Sequence, residues 1–185
     1  EGRFVCVSRP RRFGKSVNAN MIYSYYNRKA DGKRLFKGLE ITKSPDYERY
    51  LNKFPTIYID LNDFAQIDRA TVVKEFQKRV IDDLKCSYPE LQETSDLKKA
   101  LLEIHNKTND NFVLIIDEWD SLIRDVAKEV QEEYLQLLRS LFKGNAAKDI
   151  FALVYMTGIL PILKYETQSA LNNFREYSII SPGKT

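Results

Sequence analysis

The order of apolar patterns predicts an α/β fold: a mainly parallel sheet with helices on both faces. Three observations carry this expectation. Short β-rich runs alternate with longer stretches of helical periodicity, the arrangement that favours parallel strands joined by right-handed crossovers. One run, Phe112-Val113-Leu114-Ile115-Ile116, is apolar throughout, as a strand covered on both faces should be. Polar clusters follow three of the runs, at Gly14 to Ser16, at Asp117 and Glu118, and at Thr157, and in sheets of this kind ligands sit at the C-terminal strand ends.

In chain order, the first run, from Phe4 to Ser8, breaks into the basic loop Arg9-Pro10-Arg11-Arg12-Phe13 and then Gly14-Lys15-Ser16. Ser16 to about Lys29 reads as a helix with Val17, Met21, Ile22 and Tyr25 on one face, by their spacing of three and four. Lys33 to Phe54 carries mixed signals and is expected to form short helical turns against the sheet edge. Pro55 to Leu61 is a second β-rich run bounded by turn-formers. Two amphipathic helices follow, one marked by Val72, Val73, Phe76, Val80 and Leu84, the other by Leu97, Leu101, Leu102 and Ile104.

After the central run, Leu122, Val126, Val130, Tyr134, Leu137, Leu138 and Leu141 trace one helical stripe that predicts a single long helix closed by Gly144. Ile150 to Met156 is a further buried strand, tipped by Thr157-Gly158, and it should lie between the strands that carry the basic loop and the acidic pair. The pattern beyond Pro161 is short and helical, and Tyr177 to Ile180 fits a last edge strand.

At 185 residues the chain reads as one domain, able to bury about 70 % of the surface of its unfolded form. Two cysteines and one histidine offer no zinc set, and they fit a reduced, cytoplasmic setting. Twenty-nine basic against twenty-six acidic residues, a formal charge of +3, is too near balance to argue nucleic-acid binding from net charge. The longest uncharged apolar stretch, Ile150 to Leu163, is broken by Gly158 and Pro161 and falls short of the roughly 20 residues a membrane span needs, so no membrane partner is expected. The chain opens close to its first strand, which suggests that a preceding segment is missing.

The basic loop between a strand and a helix has the layout of a phosphate-binding loop. Backbone N–H groups and the positive end of the helix face an anion, one lysine reaches the outer phosphates, and one hydroxyl is available to Mg²⁺. The general pattern has glycine five residues before Gly14, where this chain has Arg9. A second match, Gly183-Lys184-Thr185, ends the chain with no helix after it and is set aside. An acidic pair after a buried strand is the form of a metal-anchoring strand end: Asp117 would hold Mg²⁺ through water, and Glu118 would orient the attacking water. Asp120 reads as the N-cap of a helix starting near Ser121. Thr157 fits equally a hydroxyl that reaches the γ-phosphate or attacking water and an ordinary strand residue. Arg9, Arg11 and Arg12, with Arg175 as a weaker candidate, add positive potential at the site or reach a neighbouring subunit.

Three segments together resemble the prokaryotic AAA-ATPase-like domain family, P-loop ATPases often followed by a PD-(D/E)XK nuclease-like domain. They are Arg9-Pro10-Arg11-Arg12-Phe13-Gly14-Lys15-Ser16, Leu114-Ile115-Ile116-Asp117-Glu118-Trp119-Asp120, and Thr157-Gly158 followed by Ala170-Leu171-Asn172-Asn173. In that family arginine in the place of Arg9 is usual, and tyrosine is more common where this chain has Trp119. The resemblance implies a three-layer P-loop NTPase fold of the AAA-like class, in one domain over residues 1–185 that lacks an N-terminal segment and the C-terminal domain. It implies ATP bound at Gly14, Lys15 and Ser16, with Asp117 and Glu118 completing the site; the nucleotide-binding candidates read from this loop are Arg11, Arg12, Phe13, Gly14, Lys15 and Ser16, and the Mg²⁺ candidates Ser16 and Asp117. Glu118, Lys15 and Thr157 are the catalytic candidates.

The leading expectation is Mg²⁺-dependent ATP hydrolysis that drives or switches an attached effector domain. The alternative is a nucleotide-gated module that hardly hydrolyses and serves as a protein-interaction switch. Partners implied beyond the nucleotide are a homo-oligomer or the nuclease-like domain outside this chain, with nucleic acid reached only through that domain. A third reading, a nucleic-acid-binding domain with a degenerate loop, is disfavoured by the near-neutral charge.

Overall fold

The computed structural model describes residues 2–64, 66–124, 126–162 and 171–178. Its elements are β1 (Phe4–Ser8), α1 (Lys15–Tyr26), the short helices α2 (Gly32–Leu35) and α3 (Tyr47–Tyr50), β2 (Thr56–Asp60), α4 (Val72–Ser87), α5 (Leu97–Thr108), β3 (Phe112–Asp117), α6 (Lys128–Phe142), α7 (Asn145–Ile150), β4 (Phe151–Gly158) and β5 (Arg175–Ser178). All strand pairings are parallel, in the order β2-β3-β4-β1-β5. The α/β expectation is met, with β4 lying between β1 and β3.

The alternation of side chains builds three layers. Phe112, Leu114 and Ile116 of β3 face a large cluster shared with α4, α5 and α6. Val113 and Ile115 face a smaller one shared with Ala19, Ile22, Tyr23 and Tyr26 of α1. Every residue of β3 is therefore buried, which is why its sequence shows no polar alternation. α4 turns Val72, Val73, Phe76, Val80, Ile81 and Leu84 inward, each such side chain contributing about 1.5–3 kcal/mol when fully buried. Asp96 starts α5 by accepting from the Lys99 N–H at 3.1 Å, and Asn109 ends it in the left-handed region at φ 60°, as a C-terminal cap does.

Several expectations need correction. α1 ends at Tyr26, and Val17 and Met21 are 62 % and 44 % exposed; the face against the sheet is built around Ala19, whose small side chain lets the helix sit close. The segment from Lys33 to Phe54 packs mainly through Phe36, Tyr47 and Leu51 on Tyr25 of α1, and meets the sheet at its end, through Phe54. The stripe from Leu122 to Leu141 is not one helix: a 3-10 turn over Trp119–Leu122 is followed by a break, and α6 begins only at Lys128. The residues just before β4 form α7, where the sequence showed no separate helix. β5 starts earlier than expected, at Arg175; Ile179, Ile180, the pattern following Ile162, Ala170 and Gly183 to Thr185 lie outside the described residues. Among the described residues no helix is long and apolar enough to cross a membrane.

Candidate functional site: the basic loop and the acidic strand end

The loop after β1 is anchored at its start, where the Arg9 N–H donates to the Gly158 carbonyl at 3.0 Å. Positive φ falls on Arg12 (69°) and Gly14 (71°), and not on Arg9. This is the physical reason arginine can stand where the general pattern has glycine: the left-handed turn that needs glycine's freedom lies later in the loop. Alternation of ordinary and left-handed residues points successive backbone N–H groups into one concavity, a form that binds anions. Gly14 then opens α1, its carbonyl accepting from the Asn18 N–H at 3.0 Å.

Strand register sets the acidic side. Asp60 pairs with Asp117, Asp117 with Thr157, and Thr157 with Val7, which places these side chains in one row on the α1 face at the C-terminal edge. Asp117 is fully buried; its Oδ2 accepts from the Tyr58 hydroxyl at 3.2 Å and its Oδ1 from the Glu118 N–H at 3.0 Å. Thr157, also fully buried, donates its hydroxyl to the Val7 carbonyl at 3.1 Å. Burial, and then the charge of Asp117, raise the Tyr58 phenol above its ordinary range and push the Tyr155 phenol up to about 12. Burial also raises the Asp60 carboxyl, with the Asn62 N–H working the other way and the charge of Asp117 adding to the rise.

Glu118 adopts φ 51°, a left-handed conformation that is uncommon outside glycine and that tends to occur at functional positions. It turns the side chain back towards the loop. Its Oε1 lies 3.3 Å from Lys15 Nζ, and its Oε2 accepts from Arg124 Nη2 at 3.3 Å. Lys15 is itself buried to 6 % exposure and also contacts the Pro10 carbonyl at 3.4 Å.

Around this contact lies a cleft of about 420 Å³ lined by Arg11, Arg12, Gly14, Lys15, Ser16, Val17, Asn62, Glu118 and Arg124, within the size of small-molecule sites. Of the residues singled out from the sequence, Arg11, Arg12, Gly14, Lys15, Ser16 and Glu118 thus meet in one place, with Asp117 beneath them. Phe13 is 61 % exposed and its side chain does not line the cleft. Arg9 is half-buried beside Tyr155. Arg175 opens β5 opposite Val5, at the far end of the strands from this site.

The N-cap reading of Asp120 is overturned. Asp120 is fully buried, and its carboxylate accepts from the backbone N–H groups of Ile159 and Leu160, at 3.3 and 3.0 Å, just beyond β4. The helix it was expected to cap does not start there.

A profile of the predicted AAA-ATPase family matches residues 1–167. The chain belongs to that family. The AAA-ATPase-like chain is also 24 % identical, over 98 % of its length, to the "Uncharacterized protein in vnfD 5'region" of Azotobacter chroococcum mcd 1. It spans 35 % of the length of that relative. The parallel sheet with β4 between β1 and β3 agrees with a P-loop NTPase-like fold.

Sequence reasoning missed Tyr58, Asp60 and Arg124. Tyr58 and Asp60 become visible only through strand register. Arg124 did leave a signal, a cation four residues after Asp120, but that spacing is so common on exposed helices that it singles nothing out.

The donor set suits Mg²⁺-ATP. The Asp117 carboxylate and the Ser16 hydroxyl offer hard oxygen atoms of the kind Mg²⁺ takes, and among the described residues no group of three or more His, Cys, Asp or Glu could hold a metal alone. Mg²⁺ does not need such a cage, because it keeps waters and takes phosphate oxygens with one or two protein ligands.

Proposed function

We propose that this AAA-ATPase-like chain binds Mg²⁺-ATP in the cleft between the basic loop and the end of β3, and hydrolyses it to drive or switch an effector domain outside the chain. The observation that carries this reading is the convergence of Lys15 and Glu118 at 3.3 Å at the mouth of the loop.

Backbone N–H groups from Arg12 to Gly14, with the start of α1, bind the phosphates. Lys15 neutralises the outer phosphate charge, leaving Glu118 for it, and Arg11 and Arg12 add positive potential from the rim. Ser16, directly, and Asp117, through water, would hold Mg²⁺, which supplies neutralisation of charge on the phosphate oxygens. Glu118 orients the attacking water and accepts its proton. Thr157 holds β4 against β1 beneath the site through its bond to the Val7 carbonyl. Phe13 contributes its backbone.

The same contacts favour a second reading. Each Glu118 oxygen rests on a cation, which would make a nucleotide-gated switch with slow turnover. Turnover separates the two. In the hydrolase, Lys15→Ala abolishes ATP binding, whereas Glu118→Gln binds ATP and stops turnover. Equal loss of binding in both variants defeats the division of roles, and wild-type protein that binds Mg²⁺-ATP without turnover supports the switch.

A further inference from the structure

Glu118 is the first member of a continuous charged chain that leads away from the cleft. Its Oε2 accepts from Arg124 Nη2 at 3.3 Å. Arg124 Nε lies 2.9 Å from Asp120 Oδ2 as an ion pair, with its N–H off the hydrogen-bond line. Asp120 in turn grips the Ile159 and Leu160 N–H groups.

The chain has few degrees of freedom. The Asp120 side chain is 0 % exposed and that of Arg124 22 %. Gly158 leaves no slack beside Asp120, because a Cβ there would collide with Asp120 Oδ1 and with the Trp119 ring. The guanidinium is a planar fork able to serve two carboxylates at once, so its position is set from the buried side by Asp120 and transmitted to Glu118 on the cleft side.

We propose that Arg124 is a positioning residue: anchored on Asp120, it sets the Glu118 carboxylate and links that setting to the backbone leaving β4. This rests on the assignment of Glu118 as the group that faces the attacking water. Arg124 and Glu118 share one cleft edge, yet Arg124 acts on the reaction through Glu118, so its loss costs turnover more than nucleotide affinity. A shift of the Ile159-Leu160 backbone relative to β3 would move Asp120, then Arg124, then the Glu118 oxygen, and this gives the backbone leaving β4 a physical handle on the site.

The test is a double-mutant cycle on the full chain, with kcat and KM for Mg²⁺-ATP, the Kd of a fluorescent N-methylanthraniloyl-ATP, and urea unfolding of each variant. Arg124→Ala is expected to lower kcat roughly ten- to a hundredfold, the span of one hydrogen bond to a charged group at 1.36 kcal/mol per decade. Its nucleotide Kd should stay within about twofold, far less than one such bond is worth. On a Glu118→Gln background the residual rate, read under single-turnover conditions, should fall no further, because the group it positions is gone.

Asp120→Asn, which keeps an acceptor for the backbone but loses the charge that anchors Arg124, should reproduce the kcat loss. Should Arg124→Ala not fold, Arg124→Lys serves, with wild-type Kd and an intermediate kcat expected. Unchanged kcat overturns the inference. So does a kcat loss matched by weaker nucleotide binding, or a loss that adds fully to that of Glu118→Gln. Full turnover in Glu118→Gln removes the role of Glu118 and this inference with it, whereas a dead Glu118→Gln beside a fully active Arg124→Ala defeats the inference alone.

Discussion

Gly158→Ala is the sharpest perturbation of how the acidic segment is seated. The added Cβ would stand 2.7 Å from Trp119 Cδ1 and 2.9 Å from Trp119 Nε1, and closer still to Asp120 Oδ1, well inside the roughly 3.5–4.0 Å of carbon contact. Both side chains are fully buried and cannot swing into solvent. Overpacking of this kind costs about 1–3 kcal/mol. Displacing Asp120 also weakens its bonds to Ile159 and Leu160, each of a class worth about 1.5–3 kcal/mol when one partner is charged. A combined loss of about 2–4 kcal/mol is expected, and at about 2–4 °C per kcal/mol for a chain of this size Tm falls by roughly 5–15 °C. The assay is thermal and urea unfolding followed by the emission of Trp119, the single tryptophan of the chain. A Tm within about 2 °C of wild type, less than 1 kcal/mol by the same conversion, would refute the reasoning, since it would mean that Trp119 and Asp120 move aside freely.

Two further outcomes follow from buried groups. Tyr58→Phe removes the hydroxyl that donates to Asp117 and should cost about 1–2 kcal/mol in urea unfolding; unchanged stability would show that the bond contributes nothing. Burial raises the Cys6 thiol far above its ordinary 9.0, so the folded chain keeps that proton after the unfolded chain has lost it. Stability from this group is complete below pH 9 and is lost as pH rises, at about 1.4 kcal/mol per pH unit. Cys6→Ala should flatten the decline between pH 9 and 10.5 by that slope, and identical slopes in the two proteins would contradict the assignment.

Much of the fold was legible because its signals are local. The apolar run of β3 and the turn residues around β2 announce strands, and the alternation with helices announces a parallel sheet. What failed was whatever depends on which side of an element meets the core. Val17, Met21 and Tyr25 satisfy a helical spacing, yet α1 approaches the sheet through Ala19, and the larger apolar residues at the other positions misled the reading. The stripe from Leu122 to Leu141 keeps its period across the break before Lys128, because Leu122 and Val126 pack on the same cluster as α6 without being helical with it. Periodicity cannot distinguish those cases.

At the site, the loop and the acidic pair could be read from residue type and strand position. The row of Asp60, Asp117 and Thr157 could not, because it needs the strand register, and a one-residue slip would turn each side chain to the other face. Asp120 was misread for a related reason. An aspartate before an apparent helix resembles a cap, and only the backbone of Ile159 and Leu160, far along the chain, shows what its carboxylate holds.

The cleft lined by Gly14, Lys15, Ser16 and Glu118 is proposed to bind Mg²⁺-ATP. Thermal unfolding with and without Mg²⁺-ATP tests it most directly. At about one hundred times its dissociation constant a ligand stabilises by about 2.7 kcal/mol, which raises Tm by roughly 5–10 °C here, and Lys15→Ala should abolish the rise. An unchanged Tm in the wild-type chain, or an equal rise in Lys15→Ala, would contradict the account.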